Sequence, residues 1–345
     1  MRLLYIHIPF CDSKCFYCAF NSYTNLNHLK KKYFDAIKKQ FQTIKKQNFY
    51  TVFIGGGTPS TMPIEFYEKL FKLLSPFTKN TKEISIEANP TTSYEWLKEI
   101  RNLGVNRISF GVQSFNEKKL KFLNRNHSPS QAIRAIENAK KAKFNNINID
   151  LIYSTAMDNK KLLENDLKTA FSLPITHLSA YSLSIEEGSK WEGDFLKRKE
   201  DEELEVWFIE KIKEKLPQYE ISNFGKICLH NLGYWEGREY IGIGAGAVGY
   251  LNKKRYYTQK NVYEYLKTPT KLSVEKLSDE DIKKEKIFLG LRSIVGFDEG
   301  LLDKEEKKRA LILMDEGKIY KKQNKIYSKD FLVADRLSSF ILFGI

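Results

Sequence analysis

The chain has 345 residues, with 57 Lys and Arg against 43 Asp and Glu, a formal net charge of +14 and four cysteines. That length can bury most of the unfolded surface in one large domain with a smaller one beside it, and no run of eighteen apolar residues is present to span a bilayer as a helix. Three of the four cysteines are clustered, which excludes a secreted disulfide framework.

The lysines sit in mixed, helix-spaced segments such as LKKKYFDAIKKQFQTIKKQ and read as solvated helix faces, so no nucleic-acid partner is expected. A basic surface also attracts acidic small molecules or an anionic membrane face. The opening MRLLYIHIPFC carries one positive charge and an apolar stretch too short to span, so a cytoplasmic protein without a cleaved signal is expected.

Along the first half, RLLYIHI, YTVFIGG, EISIEAN, NRISFGVQ, NINIDLIY and HLSAYSLSI read as strands, and the stretches near 26–47, 64–75, 93–103, 130–142 and 160–172 as the helices between them. This alternation predicts an α/β fold with a parallel sheet, wound either doubly or as a barrel-like βα repeat. Past residue 190 come the charged helix KRKEDEELEVWFIEKIKEKL, then YEISNFGKICLHNLGYW and the glycine-rich YIGIGAGAVGY. From about 270, helices near 280–292 and 303–316, two short strands in KIYKKQNKIY and a last helix from Asp330 predict a winged-helix-like unit. Three regions are expected: 1–190 as the core, 191–268 as an extension carrying HNLGYW, and 269–345 as the C-terminal unit, with the boundary at KTPTKLS.

Distinctive residues follow each strand in turn. CDSKCFYC follows the first, GGGTPS the second, EANP the third, GVQSF the fourth and IDLIYS the fifth, so five strand ends aim them at one rim. Cys11, Cys15 and Cys18, spaced C-x3-C-x2-C, suit an iron–sulfur cluster, a zinc site completed by His7 or His28, or a buried trio without metal. A cubane normally takes four thiolates, so three would leave one iron open to bind something else. Gly55, Gly56, Gly57, Thr58 and Pro59 read as a tight turn or as a loop whose amides approach a ligand.

The spacing, preceded by YIHIPF and followed by GGGTP, resembles the radical S-adenosylmethionine (SAM) superfamily. Together with EANP, NRISFGVQSF, IDLIY and HNLGYW, it resembles the HemN-type oxygen-independent coproporphyrinogen oxidases and their relatives, the HemW-type heme chaperones. The resemblance implies an α/β fold, specifically a radical SAM partial (β/α)6 TIM-like barrel with a small C-terminal winged-helix-like α/β domain. It implies a 4Fe-4S cluster on Cys11, Cys15 and Cys18, with SAM chelated on the open iron and cleaved to a deoxyadenosyl radical when the cluster is reduced. It further implies that Tyr5, Gly56, Gly57, Thr58 and Glu87 line the SAM pocket, and that Gln113, Arg125 and Asp150 reach the ribose and carboxylate region.

Two features lean toward the chaperones. The oxidase pattern continues with a further cysteine two positions on, where this chain has Ala19 and Phe20, and HNLGYW matches the chaperones' H-N-x-x-Y-W motif. The resemblance then implies heme binding through His230, Asn231, Tyr234 and Trp235, with His230 as an iron ligand and heme passed to an acceptor protein, at the membrane as one option. A reductant for the cluster and a homodimer are implied in the same way. Taken alone, His230 reads equally as a satisfied core histidine, and Cys228 as a second ligand or an inert buried thiol. The rival functions are SAM-dependent decarboxylation of coproporphyrinogen III and a radical reaction on RNA. Two departures stand out: Ser154, Thr155 and Ala156 replace the usual GLP, and Val248 stands where a histidine is common.

Overall fold

The computed structural model describes residues 1–345. Strands β1 (Arg2–Ile8), β2 (Phe49–Gly56), β3 (Glu83–Ala88), β4 (Arg107–Gln113), β5 (Ile147–Tyr153) and β6 (His177–Ser182) lie side by side in chain order, all parallel. Between them run α1 (Lys30–Phe41), α2 (Ile64–Leu74), α3 (Tyr94–Asn102), α4 (Glu117–Phe122), α5 (Pro129–Lys141) and α6 (Lys160–Ser172). A doubly wound sheet reverses its strand order part-way; the six parallel strands from β1 to β6 never do, which is the winding of a barrel. Helix starts are set by local chemistry, as where Ser128 and Gln131 form a reciprocal capping box at α5.

The strands alternate with period two. Leu4, Ile6 and Ile8 of β1, Val52 and Ile54 of β2, Ile108, Phe110 and Val112 of β4, and Ile147, Ile149 and Leu151 of β5 enter the large core with Tyr33, Ile37 and Phe41 of α1 and Ile136 of α5. The intervening residues face the other way and are mostly polar.

After α7 (Glu202–Lys213), the short strands β7 (Gln218–Glu220) and β8 (Asn223–Gly225) extend the sheet beyond β6, and the chain crosses through α8 (Leu229–Trp235). It returns as β9 (Tyr240–Ile243), parallel to β1, then β10 (Val248–Leu251), β11 (Lys254–Thr258), α9 (Val262–Lys267) and β12 (Leu272–Lys276). The twelve-stranded sheet therefore keeps two edges, so the barrel is partial. No helix is long and apolar enough to cross a membrane.

The C-terminal unit comprises α10 (Asp279–Leu291), β13 (Phe297–Asp298), α11 (Lys304–Asp315), β14 (Ile319–Lys322), β15 (Lys325–Ser328) and α12 (Ala334–Phe343). Its separate core joins Ile287, Leu291, Leu313, Ile326 and Ile341. The expected boundary at 269 shifts, because β12 pairs with β11 in the large sheet and the second core begins only in α10. Backbone bonds from Ile221 N–H to Arg292 O and from Ile294 N–H to Tyr219 O, each 2.9 Å, fasten the unit to the barrel.

At the Ser154–Ala156 departure, Ser154 occupies the left-handed region at φ 62°, which glycine enters without a Cβ penalty. The loop is held nonetheless. Ser154 Oγ donates to Glu205 Oε1 at 2.7 Å, Thr155 N–H donates to Asp158 Oδ2 at 2.8 Å, and Asp158 pairs with Lys119 at 2.6 Å with both side chains fully buried. Lys119 Nζ also donates to the Ile152 carbonyl at 2.6 Å. Truncating Asp158 leaves a buried ammonium without its counter-charge, so Asp158→Ala should cost about 3–5 kcal/mol in urea unfolding, whereas removing the exposed Lys121–Glu117 pair should leave the urea midpoint nearly unchanged.

Candidate functional site

The cysteine loop leaves β1 and is pinned from several sides. Asn124 Nδ2 donates to the Lys14 carbonyl at 2.8 Å, Phe16 N–H to the Leu123 carbonyl at 3.3 Å, and Lys14 Nζ to the Phe20 carbonyl and Ser22 Oγ, both at 2.8 Å. Cys11 is buried, and Cys15 and Cys18 are half-buried. All three line a cavity of about 420 Å³ that also receives Gly56, Gly57, Thr58, Glu87, Gln113, Arg125 and Asp150. The loops after β1 and β2 and residues of β3, β4 and β5 thus meet at one rim.

Direct bonds tie these groups together. Thr58 Oγ1 donates to Cys11 Sγ at 3.3 Å and Arg125 Nη1 to Cys15 Sγ at 3.1 Å, while Arg125 Nη2 donates to the Gly111 carbonyl at 2.5 Å. Gly56 N–H donates to Glu87 Oε2 at 3.0 Å, which anchors the glycine loop on β3. Gly56 sits at φ 115°, open in practice only to glycine, and a Cβ on Gly57 would stand 3.0 Å from Cys11 Sγ and 2.8 Å from the Phe10 carbonyl. Burial pushes the Glu87 carboxyl up to about 8, with Asp150 adding repulsion and the Gly56 amide and Arg107 opposing. Burial also raises the Asp150 carboxyl, against hydrogen bonds from Ser179 and Asn148.

Tyr5 lies deeper than the cysteine cavity, in a small inner cavity shared with Glu87 and Asp150. It lies three residues before the end of β1, about 10 Å below the rim at strand rise, and its hydroxyl bonds His7 Nδ1 at 3.0 Å. The other nitrogen of His7 bonds the Asn21 carbonyl at 2.9 Å, so neither is free for the zinc set considered above, and His28 is exposed before α1.

HNLGYW forms α8, seated on the N-terminal ends of β2 and β3, at the opposite end of the barrel from the cysteines. His230 is 1% exposed. Its Nδ1 bonds Thr51 Oγ1 at 2.7 Å and its Nε2 bonds Tyr234 Oη at 2.9 Å, and burial lowers its pKa to about 3, so the ring stays neutral. The expected iron ligand is here a satisfied core histidine, and its i,i+4 bond explains the H-N-x-x-Y spacing. Glu83 accepts from Leu229 N–H, His230 N–H and Cys228 Sγ at 3.1, 3.2 and 3.3 Å, and burial pushes the Cys228 thiol up to about 12, leaving it protonated. Asn231 and Tyr234 reach a small inner cavity of about 160 Å³ shared with Tyr5, Glu87 and Asp150, whereas Trp235 does not.

Sequence reasoning missed Thr51, Glu83, Arg107, Asn148 and His177, the inward residues that build this interior. His177 Nδ1 bonds Asn148 Oδ1 at 2.5 Å, and Asn148 Nδ2 reaches Asp150 Oδ1 at 2.7 Å. The polar half of each strand's alternation was the available signal. A third and largest cavity, about 990 Å³, opens between the barrel and α10.

The radical SAM superfamily model matches residues 5–167. A protein named heme chaperone HemW from Lactococcus lactis is 35% identical over 321 residues, covering 88% of this chain and 84% of that one, and its Bacillus subtilis counterpart is 35% identical over 321 residues, covering 86% and 84%. The chain belongs to the HemW family of the radical SAM superfamily. The solved coproporphyrinogen III oxidase HemN of Escherichia coli superposes with a TM-score of 0.84 over 100% of this chain and 91% of that one, at 20% identity, which shows a shared fold.

Superfamily membership implies a 4Fe-4S cluster and SAM. The site fits both: three thiols face one cavity, a glycine cradle lies against Cys11, and the buried Arg125 Nε has no protein partner. Glu87 supplies a test. Its folded pKa near 8 lies above the ordinary carboxylate range, so its contribution to stability is full below pH 4 and is lost as pH rises through about 8. Glu87→Gln, which keeps an acceptor for Gly56, should flatten the fall in urea midpoint between pH 5 and 8.5 that the parent shows.

Proposed function

We propose that the chain is a cytoplasmic heme chaperone, binding heme and passing it to an acceptor protein, with a 4Fe-4S cluster on Cys11, Cys15 and Cys18 and SAM beside it. The observation that carries the reading is the 35% identity over 321 residues to proteins named heme chaperone HemW. Two features of the chain support it. Phe20, 71% exposed, occupies the position where the oxidase pattern places a further cysteine, and all four cysteines are free thiols, suited to a reducing compartment.

Within this reading the three thiolates hold the cluster, which when bound supplies an electron to the SAM sulfonium. Arg125, half-buried against Cys15, offers a fixed cation for a carboxylate and for the thiolate charge. Gly56, Gly57 and Thr58 let the backbone approach the methionine end, and Glu87, Gln113 and Asp150 offer acceptors and an amide for hydroxyls. A reductant, a membrane-side acceptor and dimerisation belong to the same proposal. Ligation of heme by His230 would require α8 to leave its seat, because both ring nitrogens are engaged.

The test is an anaerobic heme titration of the full chain with its cluster reconstituted, read by Soret absorbance and followed by transfer to an apo-heme protein. Saturable binding and transfer, with no porphyrin product from coproporphyrinogen III, SAM and reductant, are expected; conversion to protoporphyrinogen would overturn the chaperone reading. Replacing Cys11, Cys15 and Cys18 together by alanine should abolish the iron–sulfur absorbance and reduce bound iron from about four per chain to background.

A further inference from the structure

We propose that heme lies in the large cavity between the barrel and the C-terminal unit, and that HNLGYW serves it through Tyr234 rather than through an iron bond from His230. This inference rests on the heme-binding reading above and assigns its site.

Size separates the candidates. The cysteine cavity is about 420 Å³ and is already lined by the groups that fit the cluster and SAM, and the inner cavity of about 160 Å³ is below the range of ligand pockets. The interdomain cavity, about 990 Å³, stands near the top of that range, which runs from roughly 300 to 1,000 Å³.

Its walls match the two chemical halves of heme, a flat apolar macrocycle and a pair of propionates. On the barrel side Tyr234, Tyr240 and Tyr250 form a continuous aromatic surface, with ring centroids 4.8 Å apart for the first pair and 6.3 Å for the second. Ile282, Phe288 and Leu289 of α10 face the same cavity from the C-terminal unit. Such surfaces cover a macrocycle from both sides.

The charge is one-sided. Seven lysines and arginines line the cavity against one carboxylate, Glu285, which is itself paired with Arg255. Lys260 and Lys286 are exposed and make no salt bridge with an acidic side chain, so both are free to meet propionates.

The motif and the cluster both connect to this space. Tyr234 lines it while its hydroxyl is held by His230, which makes the histidine a positioning residue for the aromatic wall. Lys14, Ala19, Phe20 and Ser22 line both this cavity and the cysteine cavity, so the two share one mouth, with Phe20 in it.

The test compares heme with its dimethyl ester, which lacks free propionates, by Soret titration of the full, cluster-loaded chain and of Lys260→Glu/Lys286→Glu, with the urea midpoint as the fold control. The parent should bind heme at least about tenfold more tightly than the ester, and the double variant should lose most of that difference; Tyr240→Ala should weaken both ligands. Absence of saturable heme binding by the parent would overturn the chaperone reading and this site together. Tight heme binding that is indifferent to the ester, to the double variant and to Tyr240→Ala would overturn the site alone. Should the double variant fail to fold, the parent's preference between heme and ester decides.

Discussion

The period-two alternation of six parallel strands is the constraint on which everything else depends. One face of each strand carries Leu4, Ile6, Val52, Ile54, Ile108, Phe110, Ile149 or Leu178 against the helices, and burial of this apolar face drives the barrel to form. The opposite face then points inward and carries Glu83, Glu87, Arg107, Asn148, Asp150, His177 and Ser179. A buried polar face is costly unless its members satisfy one another. Here Asn148 bridges His177, Asp150, Ser109 and Ser179, and Glu83 closes the lower end by receiving three donors from the start of α8.

That interior divides the molecule into two ends with different tasks. At the C-terminal ends of the strands, short loops deliver thiols, glycines, a guanidinium and carboxylates to one cavity. At the N-terminal ends, α8 acts as a plug whose histidine is a structural hub, linking Thr51 of β2 to Tyr234 and packing on Phe53. A motif defined by a histidine invites a metal-ligand reading. Its chemistry in this fold is that of a neutral imidazole aligning a phenol.

The likeness to HemN across the whole chain at 20% identity shows how far a fold is independent of residue chemistry, and fold alone does not choose between a chaperone and an oxidase. Near the shared mouth of two cavities Phe20 stands exposed, and Val248 lines the wall of the larger one. Ser154 shows that a departure from a familiar loop need not break it. The left-handed backbone persists because the Glu205 and Asp158–Lys119 contacts secure the chain on both sides of it.

The sequence by itself determined the strand and helix alternation, the order of the polar strand ends and the cysteine spacing, because these depend on local periodicity and on residues a few positions apart. It also carried the family, through YIHIPFCDSKCFYC, GGGTP and HNLGYW. Tertiary structure alone decided the rest. Whether Tyr5 reaches the rim depends on how far along β1 it lies, whether His230 is open depends on Thr51 nearly 180 residues away, and the wing's true start depends on β12 finding β11. The large cavity exists only because α10 faces β9 to β11 and the cysteine loop across it, a juxtaposition of segments from both ends of the chain that no local pattern encodes.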